Sequence, residues 1–209
     1  MIISVMTAVA DWSCETAKAH TPAVVQPAVT MTRNLMELIA TLQAGTAELD
    51  QQIAQATAGH PDFGVFDSFP GAGPALAPRL LAAFGSCRQR YTAAAEMQKL
   101  SGIAPIVRRS GKSESVHFRR ACPKFLRQTF HEWAGHSIAF CDWARVFYQQ
   151  KRHEGLDHHA AVRALAFKWI RIVYRCWQDG VPYDNTRYVE SLRRHGSPIA
   201  AALDAASRK

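Results

Sequence analysis

"DHHAAVRALAFKWIRIVYRCWQDG", Asp157 to Gly180, carries a sustained helical period. Val162, Leu165, Ala166, Trp169, Val173 and Trp177 recur at three- and four-residue spacing, an apolar face that must be covered by a core. Asp157 stands where an N-cap belongs, and the helix is expected to run to about Asp179. Lys168, Arg171 and Arg175 make a basic stripe on it. Working back along the chain, "CPKFLRQTF" opens a second long helix with Pro123 in its first turn, where proline costs no hydrogen bond. Leu126, Phe130, Trp133, Ile138, Cys141, Ala144 and Tyr148 would face the core, with Gly155 as the stop. A short helix covers Arg88 to Leu100. Residues 101–120 show no helical period, contain the breakers Gly102, Pro105 and Gly111, and read as loop or short strand.

Further upstream, Leu35, Leu38, Leu42, Leu49, Ile53 and Ala56 form a narrow stripe between polar faces, the pattern of a coiled-coil arm, and Gly59 and Pro61 end it. A plain surface helix has the same spacing. The fold expected is therefore mainly α: an irregular lead-in over 1–30, an extended coiled-coil-like helical arm over 31–60, a compact basic helical domain over 61–190 and a flexible tail over 191–209. No internal repeat is present.

Composition narrows the class. The chain has 209 residues, 48% hydrophobic and 20% charged, the balance of a globular protein. Five cysteines are widely spaced with no C-x-x-C pair, which argues against a disulfide frame or structural zinc and for a reducing, cytoplasmic setting. No apolar run approaches the roughly 20 residues of a membrane span, so no membrane partner is expected. The net charge is +8, and it is uneven: residues 1–60 hold two basic and five acidic residues, so the rest carries the whole excess. A basic body points to a polyanion, with nucleic acid the leading candidate.

"RRSGKS", Arg108 to Ser113, invites comparison with a nucleotide-binding P-loop, but Ile106 stands where that loop needs glycine. From Ile106 to Arg127 lie Arg108, Arg109, Lys112, Arg119, Arg120, Lys124 and Arg127, opposed only by Glu114. Such a cluster suits phosphate neutralisation, and His117 and Phe118 could stack on unpaired bases. In "FPGAGPALAPRLLAAFG", Phe69 to Gly85, Gly71 and Gly73 ahead of Ala77, Leu80 and Leu81 fit a helix-hairpin-helix-like element whose backbone amides meet phosphate. Pro78 departs from that pattern, and an ordinary Gly-Pro turn remains open. His131, His136, His153, His158 and His159 form no H-E-x-x-H and read as solvated or capping residues rather than metal ligands. Ser110 lies between arginines and a glycine; its chemistry alone leaves nucleophile, phosphate-gripping residue and turn residue open, and no base adjoins it in sequence.

Four blocks, "FPGAGPALAPRLLAAFG", "SGIAPIVRRSGKS", "HFRRACPKFLRQTFHEWA" and "HHAAVRALAFKWIRIVYRCWQDGVPYD", together resemble the C-terminal part of the DEDD-plus-serine insertion-sequence transposases, the bridge-RNA-guided recombinases. The resemblance spans about residues 31–188. It implies DNA strand exchange through a serine–phosphodiester intermediate, with Ser110 as nucleophile and Ser101 a distant second. It also implies DNA and a structured guide RNA as partners, and a homo- or hetero-oligomer joined through the arm. Family members hold magnesium on an acidic tetrad in an N-terminal RNase H-like domain. Residues 1–30 are too short for that domain and hold only Asp11 and Glu15 as acids, so the chain is expected to be a truncated or split transposase without its own magnesium site. Whether it catalyses alone is left open. The alternative is a catalytically inert DNA- or RNA-binding module, or a decayed fragment.

Overall fold

The computed structural model describes residues 22–111 and 113–206, and among them the chain is mainly helical. Helix α1 spans Pro22–Ala58. It starts inside the segment expected to be irregular: Pro22 occupies the first helical position, where its missing N–H is not needed, and Pro27 is accommodated within the helix. Thr30, Thr32, Thr41 and Thr46 each return their hydroxyl to the carbonyl four residues back, so the polar faces are locally satisfied. Leu35, Leu38, Leu42 and Leu49 remain about half exposed or more. The chain divides into two units within this helix, Met1–Gln52 and Ile53–Lys209.

In the second unit, α2 (Phe63–Asp67), α3 (Gly73–Phe84), a 3-10 turn (Arg88–Arg90) and α4 (Ala94–Leu100) lead to a two-stranded antiparallel hairpin, β1 (Ile106–Ser110) and β2 (Ser113–His117). Among the described residues five helices follow: α5 (Lys124–Phe140), α6 (Asp142–His153), α7 (His158–Asp179), α8 (Asn185–Arg194) and α9 (Pro198–Ala206). The expected apolar face of α7 is buried throughout, and α4, α5 and α6 pack on this helix. Asp157 caps its N-terminus, Oδ1 accepting from the Ala160 N–H at 2.7 Å. Gly180 closes it in the left-handed conformation, with the Val181 N–H reaching back to the Cys176 carbonyl.

Four buried tryptophans make the centre of the core, and each indole N–H finds an acceptor. Trp133 donates to the Pro70 carbonyl, Trp143 to the Tyr183 hydroxyl, Trp169 to Ser137 Oγ and Trp177 to the Gly85 carbonyl. The four indoles are thus buried without orphaning an N–H.

Two further expectations change. The single helix from Pro123 to Gly155 is two helices, broken where Cys141 is extended (φ −142°, ψ 116°). The apolar period continues through the break, so the sequence hides it. Arg145 stabilises the interruption by donating to the carbonyls of Ile138 and Ala139, which α5 leaves unpaired at its end. Residues 198–206, expected in a flexible tail, are helical; Ile199 and Ala200 are buried and Arg193 pairs with Asp204 at 2.8 Å.

Candidate nucleic-acid interface

The hairpin joins β1 to β2 through Gly111, at φ 57°, and position 112, the two-residue connection that a twisted hairpin favours. Lys112 itself lies outside the described residues. Its register places Ser110 opposite Ser113, Arg108 opposite Ser115, and Ile106 opposite His117. Directly opposed residues share a face, so Ile106, Arg108, Ser110, Ser113, Ser115 and His117 lie on one side. Val107 and Val116 are opposed on the other and stay exposed, as does Arg109. Ser110 is therefore an exposed residue at the hairpin tip, with Arg108 on its own face and Arg109 on the reverse.

The two serines considered as nucleophiles separate cleanly. Ser101 is fully buried at the end of α4, and its hydroxyl donates to the Gln98 carbonyl. No such burial encloses Ser110. His117 shares the Ser110 face, but it sits four residues beyond Ser113 on β2, about 14 Å at 3.4 Å per residue. Its Nε2 is 2.9 Å from Ser115 Oγ.

The hairpin root is tightly built. Gly102 (φ 72°) lies so close to Cys122 that a Cβ there would stand 2.4 Å from the sulfur. Arg119 Nε donates to the Ala104 carbonyl. Arg127, on the first turn of α5, donates to the carbonyls of Arg120 (2.6 Å) and Arg119 (3.4 Å) and to Cys122 Sγ. Its guanidinium is held rather than waving in solvent, and that preorganisation lowers the entropy lost on binding an anion.

Beside the root lies a cleft of about 280 Å³ lined by Phe118, Lys124, Arg127, Gln128, His131, His159 and Arg163. The ring of Phe118 receives two guanidiniums, Arg127 at 4.7 Å and Arg163 at 5.0 Å from its centroid. It braces cations as much as it offers a stacking platform. His131 Nε2 is 3.4 Å from His159 Nδ1. Burial, then His159, Arg163 and His158, holds the His131 imidazolium below its ordinary range, and Glu132 opposes them. From sequence, His131 and His159 read as solvated or capping residues and Arg163 was not singled out; the structure brings all three to this cleft. A signal existed: Lys124, Arg127, Gln128 and His131 share one helical face, as do His159 and Arg163.

The predicted phosphate-facing residues do not form one group. Arg119, Arg120, Lys124 and Arg127 gather at the root, Arg108 and Arg109 lie out along the hairpin, and the Gly71–Gly73 turn packs near the far end of α5. Lys124 and His136, which marks that far end, are about 18 Å apart at 1.5 Å per residue. Gly71 (φ 73°) abuts the α5 backbone, its Cβ position being 3.1 Å from His136 C and Ser137 N. Close helix approach thus accounts for a glycine at 71. Gly73 (φ 54°) is exposed at the start of α3. Pro78 is buried inside α3, which continues through it.

No group of three or more His, Cys, Asp or Glu side chains among the described residues could hold a metal ion. Asp62 is engaged by Arg88, and Glu132 by Arg79 and Gln128. These engaged carboxylates do not fit a magnesium site. Among the described residues no helix is long and apolar enough to cross a membrane.

Residues 64–149 match the family described as transposase IS116/IS110/IS902. The IS117 mini-circle protein of Streptomyces coelicolor, whose name describes it as a transposase, is 32% identical over 153 residues, covering 73% of this chain and 37% of that protein. The IS900 42 kDa protein of Mycobacterium paratuberculosis is 28% identical over 159 residues, 76% of this chain and 40% of that protein. The IS116 44.8 kDa protein of Streptomyces clavuligerus is 28% identical over 116 residues, 55% and 29%. The chain thus spans about two fifths or less of the length of these relatives.

Proposed function

Because this chain belongs, through residues 64–149, to the IS116/IS110/IS902 transposase family, we propose that it supplies the serine-bearing half of a DNA strand-exchange site. Ser110 Oγ attacks the scissile phosphorus, a serine–phosphate bond forms, and the bond to the leaving deoxyribose oxygen breaks. The serine proton passes to a base, and the leaving oxygen takes up a proton to become a hydroxyl. Arg108, on the same hairpin face, neutralises charge developing on the phosphate, and Arg109 and Lys112 add positive charge close by in the sequence. Arg119, Arg120, Lys124 and Arg127 hold the nucleic-acid backbone at the root, and Gly71 and Gly73 offer amides to a separate phosphate.

The observation that carries this reading is the presentation of Ser110 on an exposed two-stranded hairpin, while Ser101 is sealed in the core. A lone hairpin is marginal in water and gains stability by docking. The base and the magnesium-binding carboxylates would come from a separate acidic domain, and the site would be composite. The exposed leucines of α1 serve to join copies or partner chains, and a structured guide RNA is the remaining proposed partner.

The test is trapping of covalent protein–DNA adducts on denaturing gels, with and without an added acidic domain and magnesium. Wild-type chain is expected to form adducts that Ser110→Ala abolishes. As an exposed substitution, Ser110→Ala should shift stability by no more than about 0.5 kcal/mol. Salt-sensitive binding with no adduct under any condition would leave a nucleic-acid-binding module.

A further inference from the structure

We propose that the cleft at the hairpin root, formed by Phe118, Lys124, Arg127, His131, His159 and Arg163, is a phosphate site that grips the nucleic-acid backbone and takes up a proton as it does so. The proposal extends the nucleic-acid reading above to residues on α7 and to a defined ligand group. Three side chains of fixed positive charge converge on the cleft, and no carboxylate is among its lining residues. Phe118 gathers the Arg127 and Arg163 guanidiniums around one ring, 4.7 and 5.0 Å from its centroid, so like charges collect at this cleft and an anion bound there offsets their repulsion. Lys124 and Arg127 lie in the first turn of α5, and His159 and Arg163 in the first two turns of α7, so both helix N-termini favour negative charge there.

The imidazole pair makes the site proton-linked. The facing nitrogens, His131 Nε2 and His159 Nδ1, are 3.4 Å apart, so only one of the two can point a hydrogen at the other. Among the described residues, His131 is faced by His159, His158 and Arg163 from α7 and by Lys124, Arg127 and Glu132 from its own helix. Only Glu132 favours the imidazolium, and that carboxylate is shared with Arg79 and Gln128. The free protein therefore keeps His131 neutral near pH 7, and a bound phosphate adds the missing countercharge. Binding draws in a proton, so affinity rises as pH falls through the bound-state value. The slope cannot exceed tenfold per pH unit for one proton.

The cleft also sits a useful distance from the hairpin tip. From Ser113 to Phe118 the strand covers roughly 17 Å at 3.4 Å per residue. A phosphate gripped here is not the one Ser110 would attack; it fixes the strand several nucleotides away.

The experiment measures binding of short labelled DNA by fluorescence anisotropy from pH 5.5 to 8.0 at constant ionic strength. It uses the full chain and its Arg163→Gln and His131→Asn variants, each checked by thermal melting. Wild type is expected to bind several-fold more tightly at pH 5.5 than at 7.5. His131→Asn should flatten that profile, and Arg163→Gln should weaken binding several-fold and lower the salt slope by about 0.7–0.9. Inorganic sulfate, whose charge is constant over this range, should compete better at pH 5.5 for wild type but not for His131→Asn. Equal binding of 5′-hydroxyl and 5′-phosphate strands assigns the site to backbone phosphodiesters, and a preference for the 5′-phosphate overturns that part. Folded variants with wild-type affinity, slope and pH profile overturn the site altogether. None of these readouts needs Ser110, so adduct chemistry and this cleft can fail independently.

Discussion

Ser110, Ser101 and Gly71 show how local chemistry is decided by surroundings. Two serines each precede a glycine, in "SGIAP" and "SGKS", and each could in principle serve as nucleophile. Burial removes Ser101, whose hydroxyl already has a backbone partner, and exposure leaves Ser110 open. Gly71 is a residue whose role was legible only in part: glycine was expected for a turn, but its contact with the α5 backbone is a tertiary fact. Gly71→Ala would combine left-handed strain with a clash against atoms that cannot rotate away. It should cost about 2–4 kcal/mol in chemical denaturation. Gly73→Ala meets nothing within 4 Å and should cost only the backbone share, about 1–2 kcal/mol.

Elements are tied together here by a few directed polar contacts over a tryptophan-rich core. Arg88 holds both carboxylate oxygens of Asp62, at 2.8 and 2.5 Å, while its guanidinium lies 4.9 Å from the Trp177 ring. That clamp connects the segment before α2 with the 3-10 turn and the end of α7. The Arg88 hydrogen bonds keep the Asp62 carboxyl below its ordinary value of 3.8, against the opposing effect of burial. A group depressed on folding stabilises above its unfolded pKa, and that stability is lost as pH falls through the folded value. Asp62→Asn should therefore lower stability by about 1–3 kcal/mol at pH 7. The difference from wild type should shrink below about pH 4, as urea unfolding midpoints would reveal. Breaks between elements were less legible than elements. Leu126 to Tyr148 keeps its period across Cys141, and only Arg145, reaching back to the carbonyls of Ile138 and Ala139, accounts for the stop.

At the scale of the molecule, the two units carry different kinds of surface. Helix α1 exposes Leu35, Leu38, Leu42 and Leu49 along one seam, with Gly45 interrupting it. If this seam joins chains as proposed, Leu38→Glu should dissociate the assembly, seen by sedimentation as a shift to monomer. Burying one leucine contributes about 1.5–3 kcal/mol, so losing two in a symmetric pair weakens association by well over tenfold. The second unit carries the charge excess, concentrated on the hairpin and its root. The helical class, the apolar faces of α5 and α7, the basic cluster and the hairpin's freedom from helical period were all set by the sequence alone, because periodicity and charge are properties of neighbours along the chain. The break at Cys141, the helix over 198–206, the sealing of Ser101 and the meeting of His131 with His159 and Arg163 were decided only by the tertiary structure. Those residues are brought together by helix packing across 28 positions or more, or depend on a partner elsewhere, and no local pattern encodes which distant group will stand beside them.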